Sequence, residues 1–302
     1  MQIRTDLAVE AHEMCRQEAK QEAQIPGVEV KIEEEKGVSI TRVSILNEEG
    51  KQALGKEIGN YITIEAPNIK YSTEEYETTC YLIAKELKAM ANLKEDSVTL
   101  VVGLGNRQIT PDALGSEAVS QLMVTHHIKK HMPEHLEEGV RSVCAIAPGV
   151  LGTTGMETVD IIKGVTQHLK PDLIIAIDAL AAGSLERITT TFQLTDTGIQ
   201  PGAGVGNNRE GLNEQTLGAP VLAIGVPTVV DAVTIAATSL QPEDESQQVK
   251  LAQQLRQTME NMVVTPNDID LIIERVSKTV ANGINLALHQ DFTLEDVQSY
   301  VG

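Results

Sequence analysis

Hydrophobic and polar positions change their period twice along the chain. Leu7 to Lys20 is polar and rich in Ala and Glu, and reads as a helix. Val28, Val30 and Ile32 then alternate with polar residues, and Val38, Ile40, Val43 and Ile45 follow after a Glu-rich turn ending in Lys36-Gly37. That alternation around a turn predicts a β-hairpin. Tyr61–Ile64 reads as a further strand, and Thr73 to Leu93 as a helix with Tyr76, Cys80, Ile83, Leu87 and Met90 on one face. Beyond this point, apolar runs at Val98–Val102, Val143–Ala147, Leu173–Ile177 and Val221–Val226 alternate with helical segments Ala113–Lys130, Met156–Leu169 and Val229–Ala237. Continuous apolar strands alternating with helices predict a parallel sheet buried on both faces. Ile188–Leu194 is a less regular strand that suits an antiparallel position. Val249 to Leu288 reads as two helices broken near Thr265-Pro266, with Gln241–Gln248 as the loop before them. With no repeat and no low-complexity linker, residues 1–302 are expected to form a single domain. Its fold class is α/β: a mostly parallel sheet covered by helices on both faces, with residues 27–66 as an N-terminal β-hairpin appendage.

Composition narrows the function. The 302 residues carry 24 Lys and Arg against 43 Asp and Glu, a formal charge of −19. No basic stripe is available to neutralise phosphates, so no nucleic-acid binding is expected. The same charge disfavours an anionic membrane surface. No apolar run is long enough to span a bilayer, and the first residues hold no signal-peptide core. Cys15, Cys80 and Cys144 are scattered, odd in number and outside any CxxC spacing, which suits reduced intracellular thiols better than disulfides or a zinc site. With five Tyr, two Phe and no Trp, the core must be built from Val, Ile, Leu and Ala.

Ligands of open parallel sheets bind beyond the carboxyl ends of the strands. One such end is Val101-Val102-Gly103-Leu104-Gly105-Asn106, followed by Thr110-Pro111-Asp112. Gly103, Gly105 and Asn106 are candidates for lining a site there; the run is no dinucleotide fingerprint, because Gln108 replaces the third glycine. Asp112 is open to two readings: a functional acid, or a first-turn carboxylate that complements a helix capped by Thr110. Asp178 follows the apolar run Leu173–Ile177 and precedes small residues, where an isolated carboxylate is costly unless paired or protonated. It either faces the crevice or bonds nearby amides in a turn. A third end, Gly225-Val-Pro227, is expected to shape a wall, with Asp231 as a first-turn helix acid. The glycine-rich stretch Ile199–Asn208 is a cover or a connector. His126, His127, His131 and His135 read as a solvated helix end, without H-E-x-x-H. Ser184 lacks a nucleophile elbow, and Thr154 with Glu157 reads as a capping box.

Seven blocks in order carry a resemblance. They are Arg4-Thr5-Asp6-Leu7-Ala8-Val9-Glu10; Val101–Asn106 with Thr110–Gly115; Ala147–Val150 with Gly155–Thr158; Ile174–Ala182; Gly202–Asn207; Gly225–Ala232; and Val263–Pro266. In these the sequence resembles the germination proteases of spore-forming Firmicutes, over nearly its whole length. The resemblance implies an atypical aspartic endopeptidase that starts degradation of small acid-soluble spore proteins at germination. It implies that Asp112 and Asp178 are the functional acids, with no cofactor and no resident metal. It also implies a zymogen processed at Asp6/Leu7, with residues 1–6 as residual propeptide, a homotetramer, and a place in the spore cytoplasm. The fold it implies is similar to that of hydrogenase maturation peptidases, which use comparable acids to hold nickel. A metal-dependent peptidase and a non-enzymatic small-anion-binding protein are therefore the alternatives. The charge of −19 adds that spore proteins should be attacked once they have left DNA.

Overall fold

A computed structural model describes residues 4–18, 25–202, 209–240, 258–259 and 262–301. Strands β1 (Val28–Glu35) and β2 (Val38–Ile45) form the expected hairpin, turning at Lys36 and Gly37, both with positive φ. The alternation written in β2 is realised as burial, with Val38, Ile40, Val43 and Ile45 all buried. β3 (Gly59–Glu65) continues antiparallel from β2. β4 (Val98–Gly103), β5 (Ser142–Ile146), β6 (Leu173–Ala182), β7 (Thr191–Thr195), β8 (Val221–Asp231) and the short β9 (Val263–Val264) complete one sheet. Its order is β1-β2-β3-β7-β8-β6-β4-β5, with β9 on β8.

The sheet is mixed rather than mostly parallel. Among the described residues, β4–β5, β4–β6 and β6–β8 pair in parallel, and the other five pairings are antiparallel. The hairpin is not an appendage either. β7 bonds to β3 on one side and β8 on the other, which joins β1, β2 and β3 to the same sheet. Helix α1 (Ala8–Glu18) lies near α2 (Glu48–Leu54). α3 (Thr73–Met90) and the long helix near the C-terminus, α10 (Ile269–Leu288), cover one face, where Ile64, Ile83, Ile175, Phe192 and Ile284 form the main core. On the other face, Val159 and Ile162 of α7 (Thr158–Leu169), which follows the one-turn α6 (Leu151–Thr154), and Leu217 of α8 (Glu214–Leu217) pack on Leu100, Val102, Ile174 and Ala176.

Several segments depart from expectation for identifiable reasons. The segment 113–130 is two helices, α4 (Leu114–Val119) and α5 (His126–His131). Buried Asn285 of α10 interrupts it by accepting from Met123 N–H and donating to the Gln121 carbonyl, while Thr125 N–H turns to the Val143 carbonyl on β5. The helix expected from Val229 starts only at Ala232, as α9 (Ala232–Leu240), because β8 runs to Asp231. Asp231 stands before that helix and accepts from Val233 and Thr234 N–H as its cap. The Thr154–Glu157 capping box is absent: Thr154 Oγ1 accepts from Met156 N–H, and the Glu157 side chain makes no capping bond to α7. The loop 241–248 and most of the helix expected from Val249 lie outside the described residues, as does 203–208 of the glycine-rich stretch.

Candidate active site

β4 stops at Gly103, paired with Ile177 of β6, but β6 does not stop there. It continues to Ala182 because β8 continues beside it, with an irregularity between Leu180 and Ala181 opposite Pro227. Asp178 therefore sits within a strand, one residue past the point where its neighbour β4 ends. Chain leaving β4 folds back over that gap through a 3₁₀ turn, Thr110–Asp112, into α4.

Glycines make the approach close. A Cβ on Gly103 would lie 2.1 Å from the Gly115 carbonyl oxygen, and one on Gly115 would lie 2.4 Å from Leu104 N and 2.7 Å from the Ile177 oxygen. Gly105 has φ +97°, and a Cβ there would lie 2.0 Å from the Asp112 carbonyl oxygen. These contacts allow α4 to rest directly on the strand ends and carry Asp112 toward Asp178. Asn106 contributes its main chain: its N–H donates to Asp112 Oδ2 at 2.8 Å. Thr110 is not the cap, since Ile109 holds that position without a side-chain bond, but Asp112 does stand in the first turn of this 3₁₀ helix.

The two carboxyls differ in environment. Asp178 is buried, and one oxygen accepts from Ala179 N–H at 3.0 Å. Burial, then the negative charges of Asp112 and Asp6, push its carboxyl well above the usual range. Asp112 is half-buried. Burial raises its carboxyl as well, opposed by the Asn106 N–H and by the positive charge of Arg209. Asp178 is thus favoured as the protonated member, and Asp112 is better able to ionise.

The chain around Asp6 and Leu7 docks beside the same stretch of β6. Asp6 N–H donates to the Ala181 carbonyl at 2.9 Å, and Asp6 Oδ2 accepts from Ala181 N–H at 2.8 Å. Leu7 is fully buried with Leu180, Ala182, Ile188 and Val230. Glu10, also buried, accepts from Gly183 N–H at 2.7 Å and from Thr5 Oγ1. Arg187 stands 3.6 Å from Glu10 and binds Glu13 through two bonds and Glu65 through a third. Asp112, Asp178 and the Asp6–Leu7 segment, read separately from the sequence, are thus brought to one region.

Other candidates lie elsewhere or play other parts. Asp231 pairs with Arg4 at 3.8 Å. Gly225 faces Asp178 across β6–β8, and the space its Cβ would need is filled by Leu180, 2.5 Å away. His126 Nδ1 meets Ser142 Oγ at 2.7 Å on the β5 edge. Among the described residues, no group of three or more His, Cys, Asp or Glu is placed to hold a metal ion, and no helix is long and apolar enough to cross a membrane. Sequence reasoning missed Gln193, Lys56, Glu10 and Arg187. Gln193 had a signal: it is the one amide in the strand Thr-Phe-Gln-Leu-Thr, and the register puts it level with Gly225 and hence with Asp178.

Comparison with known proteins gives a consistent result. A family profile described as Germination protease matches residues 8–242 and 238–301. The Germination protease of Clostridium tetani is 44% identical over 326 aligned positions, covering 100% of both chains. That of Caldanaerobacter subterraneus subsp. tengcongensis is 45% identical, covering 98% of this chain and 97% of its own. That of Bacillus cereus is 40% identical, covering 99% and 96%.

Proposed function

The chain belongs to the germination protease family, and we propose that Asp112 and Asp178 are the acid–base pair of its peptidase activity. The observation that carries this reading is a buried acid, Asp178, at the strand end onto which the close contacts of Gly103, Gly105 and Gly115 seat the Asp112 turn, with burial and the charge of Asp112 both raising the Asp178 carboxyl. Asp112, ionised, takes a proton from water. Asp178, protonated, donates to the peptide carbonyl or to the leaving amine. Their titration belongs to the pair. Gly103, Gly105 and Asn106 shape the floor beneath Asp112.

The substrate class is the small acid-soluble spore proteins, cut in the spore cytoplasm once they have left DNA. The whole chain acts as one peptidase unit, made as a zymogen, processed at Asp6/Leu7 and assembled as a homotetramer. Support for the junction is its seat on Ala181, three residues past Asp178.

The test is incubation of purified protein with a small acid-soluble spore protein, free and DNA-bound. Asp112→Asn and Asp178→Asn should each lower turnover by about 10²–10⁴-fold. Near-normal turnover in either variant refutes the pair. Loss of wild-type activity on chelation, restored by a divalent metal, would replace this reading with the metal-dependent one.

A further inference from the structure

The peptide bond between Asp6 and Leu7 is held by side chains that the aspartate pair leaves unexplained. The Asp6 carbonyl oxygen accepts two hydrogen bonds, from Lys56 Nζ at 2.9 Å and from Gln193 Nε2 at 3.0 Å. Lys56 also donates to the Thr5 carbonyl at 3.3 Å. Gln193 Oε1 accepts from Ala8 N–H at 2.7 Å, so one buried amide grips the chain on both sides of Leu7. The Leu7 N–H donates to Thr5 Oγ1 at 3.0 Å.

Each donor is fixed by its element. Gln193 is paired with Gly225 on β8, and Gly225 with Asp178 on β6. Paired residues share a face, so Gln193 and Asp178 stand on one side of the sheet, two strands or about 10 Å apart, with the Leu180 side chain filling the space over Gly225. Lys56 follows Gly55, whose left-handed φ of 63° ends α2 and turns the chain back toward the junction. Burial lowers the tendency of Lys56 to hold its proton, and the charges of Asp6 and Glu10 oppose that. The Lys56 Nζ is placed as a donor to the Asp6 carbonyl oxygen.

We propose that Lys56 and Gln193 are an oxyanion-stabilising pair for hydrolysis of the Asp6–Leu7 peptide bond. This rests on the acid–base pair and the junction proposed above. Water adds to the Asp6 carbonyl carbon as Asp112 takes one of its protons, and the C=O π pair moves onto oxygen. Lys56 and Gln193 hold that developing charge. The pair then reforms the carbonyl and the C–N bond breaks. The bonding electrons leave on the Leu7 nitrogen, which takes the proton of Asp178. The products are an Asp6 carboxyl and a Leu7 amine, and transfer of the proton on Asp112 to Asp178 restores both. With two donors already on the oxygen, the proton of Asp178 is left for the nitrogen.

The experiment compares full-length wild type with Lys56→Met, Lys56→Gln, Gln193→Glu and Asp178→Asn. Mass spectrometry follows the chain beginning at Leu7. Hydrogen exchange at the Asp6 and Ala8 amides reports whether the segment stays docked. Gln193→Glu keeps an acceptor for Ala8 and removes the donor to Asp6, which separates grip from catalysis. The expected result is cleavage slowed by about 10²–10³-fold in Gln193→Glu and in both Lys56 variants, with the two amides protected as in wild type. Lys56→Gln serves where Lys56→Met fails to fold. Unchanged rates, or losses that track loss of protection, overturn the proposal while leaving the aspartates intact. Wild-type cleavage by Asp178→Asn overturns the acid–base reading instead, and a wild type that never yields the Leu7 chain overturns both.

Discussion

Replacing Asp178 by Asn should make the protein more stable as pH rises while removing its activity. Asp178 is 6% exposed, and burial is the first cause that raises its carboxyl. The unfolded chain titrates this group near the ordinary value of about 3.9. Between that value and the raised folded one, the native state holds a proton that the unfolded state has released. Unfolding free energy then falls with pH, by up to about 1.4 kcal/mol per pH unit for one proton. The contribution is fully present below the unfolded value and is lost as pH rises through the folded one. An Asn keeps the shape and an oxygen for the Ala179 N–H, but it has no proton to lose. Its advantage over wild type should therefore grow through the weakly acidic range and level off once Asp178 ionises. Urea unfolding at fixed protein concentration, from about pH 5 to about pH 8, measures it. With no Trp in the chain, far-UV circular dichroism is the natural signal. A difference that is flat across this range, or that favours wild type as pH rises, refutes the account of Asp178 as a buried, proton-holding acid.

Gly115→Ala should loosen α4 from β4: its Cβ would sit 2.4 Å from both Leu104 N and Leu104 O. A loss of at least about 1–3 kcal/mol is expected, with a larger fall in kcat than in KM as Asp112 shifts. Unchanged stability by urea titration would refute the close-approach argument. His289 is fully buried with its Nδ1 accepting from Arg141 N–H, and burial lowers it from 6.5 to about 4. The folded state prefers the neutral ring, so stability is present above pH 6.5 and lost as pH falls toward 4. The loss amounts to about 3 kcal/mol. His289→Gln should remove that acid slope, and an equally steep slope in the variant would show that other groups carry it.

The legible parts of the fold were those decided within a few residues. The Lys36-Gly37 turn, the alternation in β2 and the apolar runs of β4, β6 and β8 each write their own structure. Strand order is different. β3 and β7 meet across more than 120 residues of chain, and neither pattern names its partner, so the mixed sheet could not be read from either. The break in 113–130 depended on Asn285, which lies far away in sequence and competes for backbone groups that a helix would otherwise use. Asp112 and Asp178 stand out in the sequence as candidates because an acid beside glycines or after an apolar strand is chemically anomalous in place. Lys56 is not anomalous: a lysine after a helix-ending glycine is ordinary, and only the docked Asp6 carbonyl gives it a role.

The same geometry explains why the Asp178 carboxyl is raised. If β6 ended where β4 does, Asp178 would face solvent at a strand terminus, and its carboxyl would be hydrated. Instead β8 carries β6 on to Ala182, and the extra residues do two things at once. They bury Asp178 between paired strands, and they offer Ala181 and Gly183 as the backbone on which Asp6 and Glu10 dock. Docking then brings the charge of Asp6 toward Asp178, which adds to the upward shift. Release of residues 1–6 would remove that contribution while burial and Asp112 remain. The chain beginning at Leu7 should therefore ionise Asp178 more readily than the longer one. The proton balance of the site is in this way tied to the state of the junction beside it.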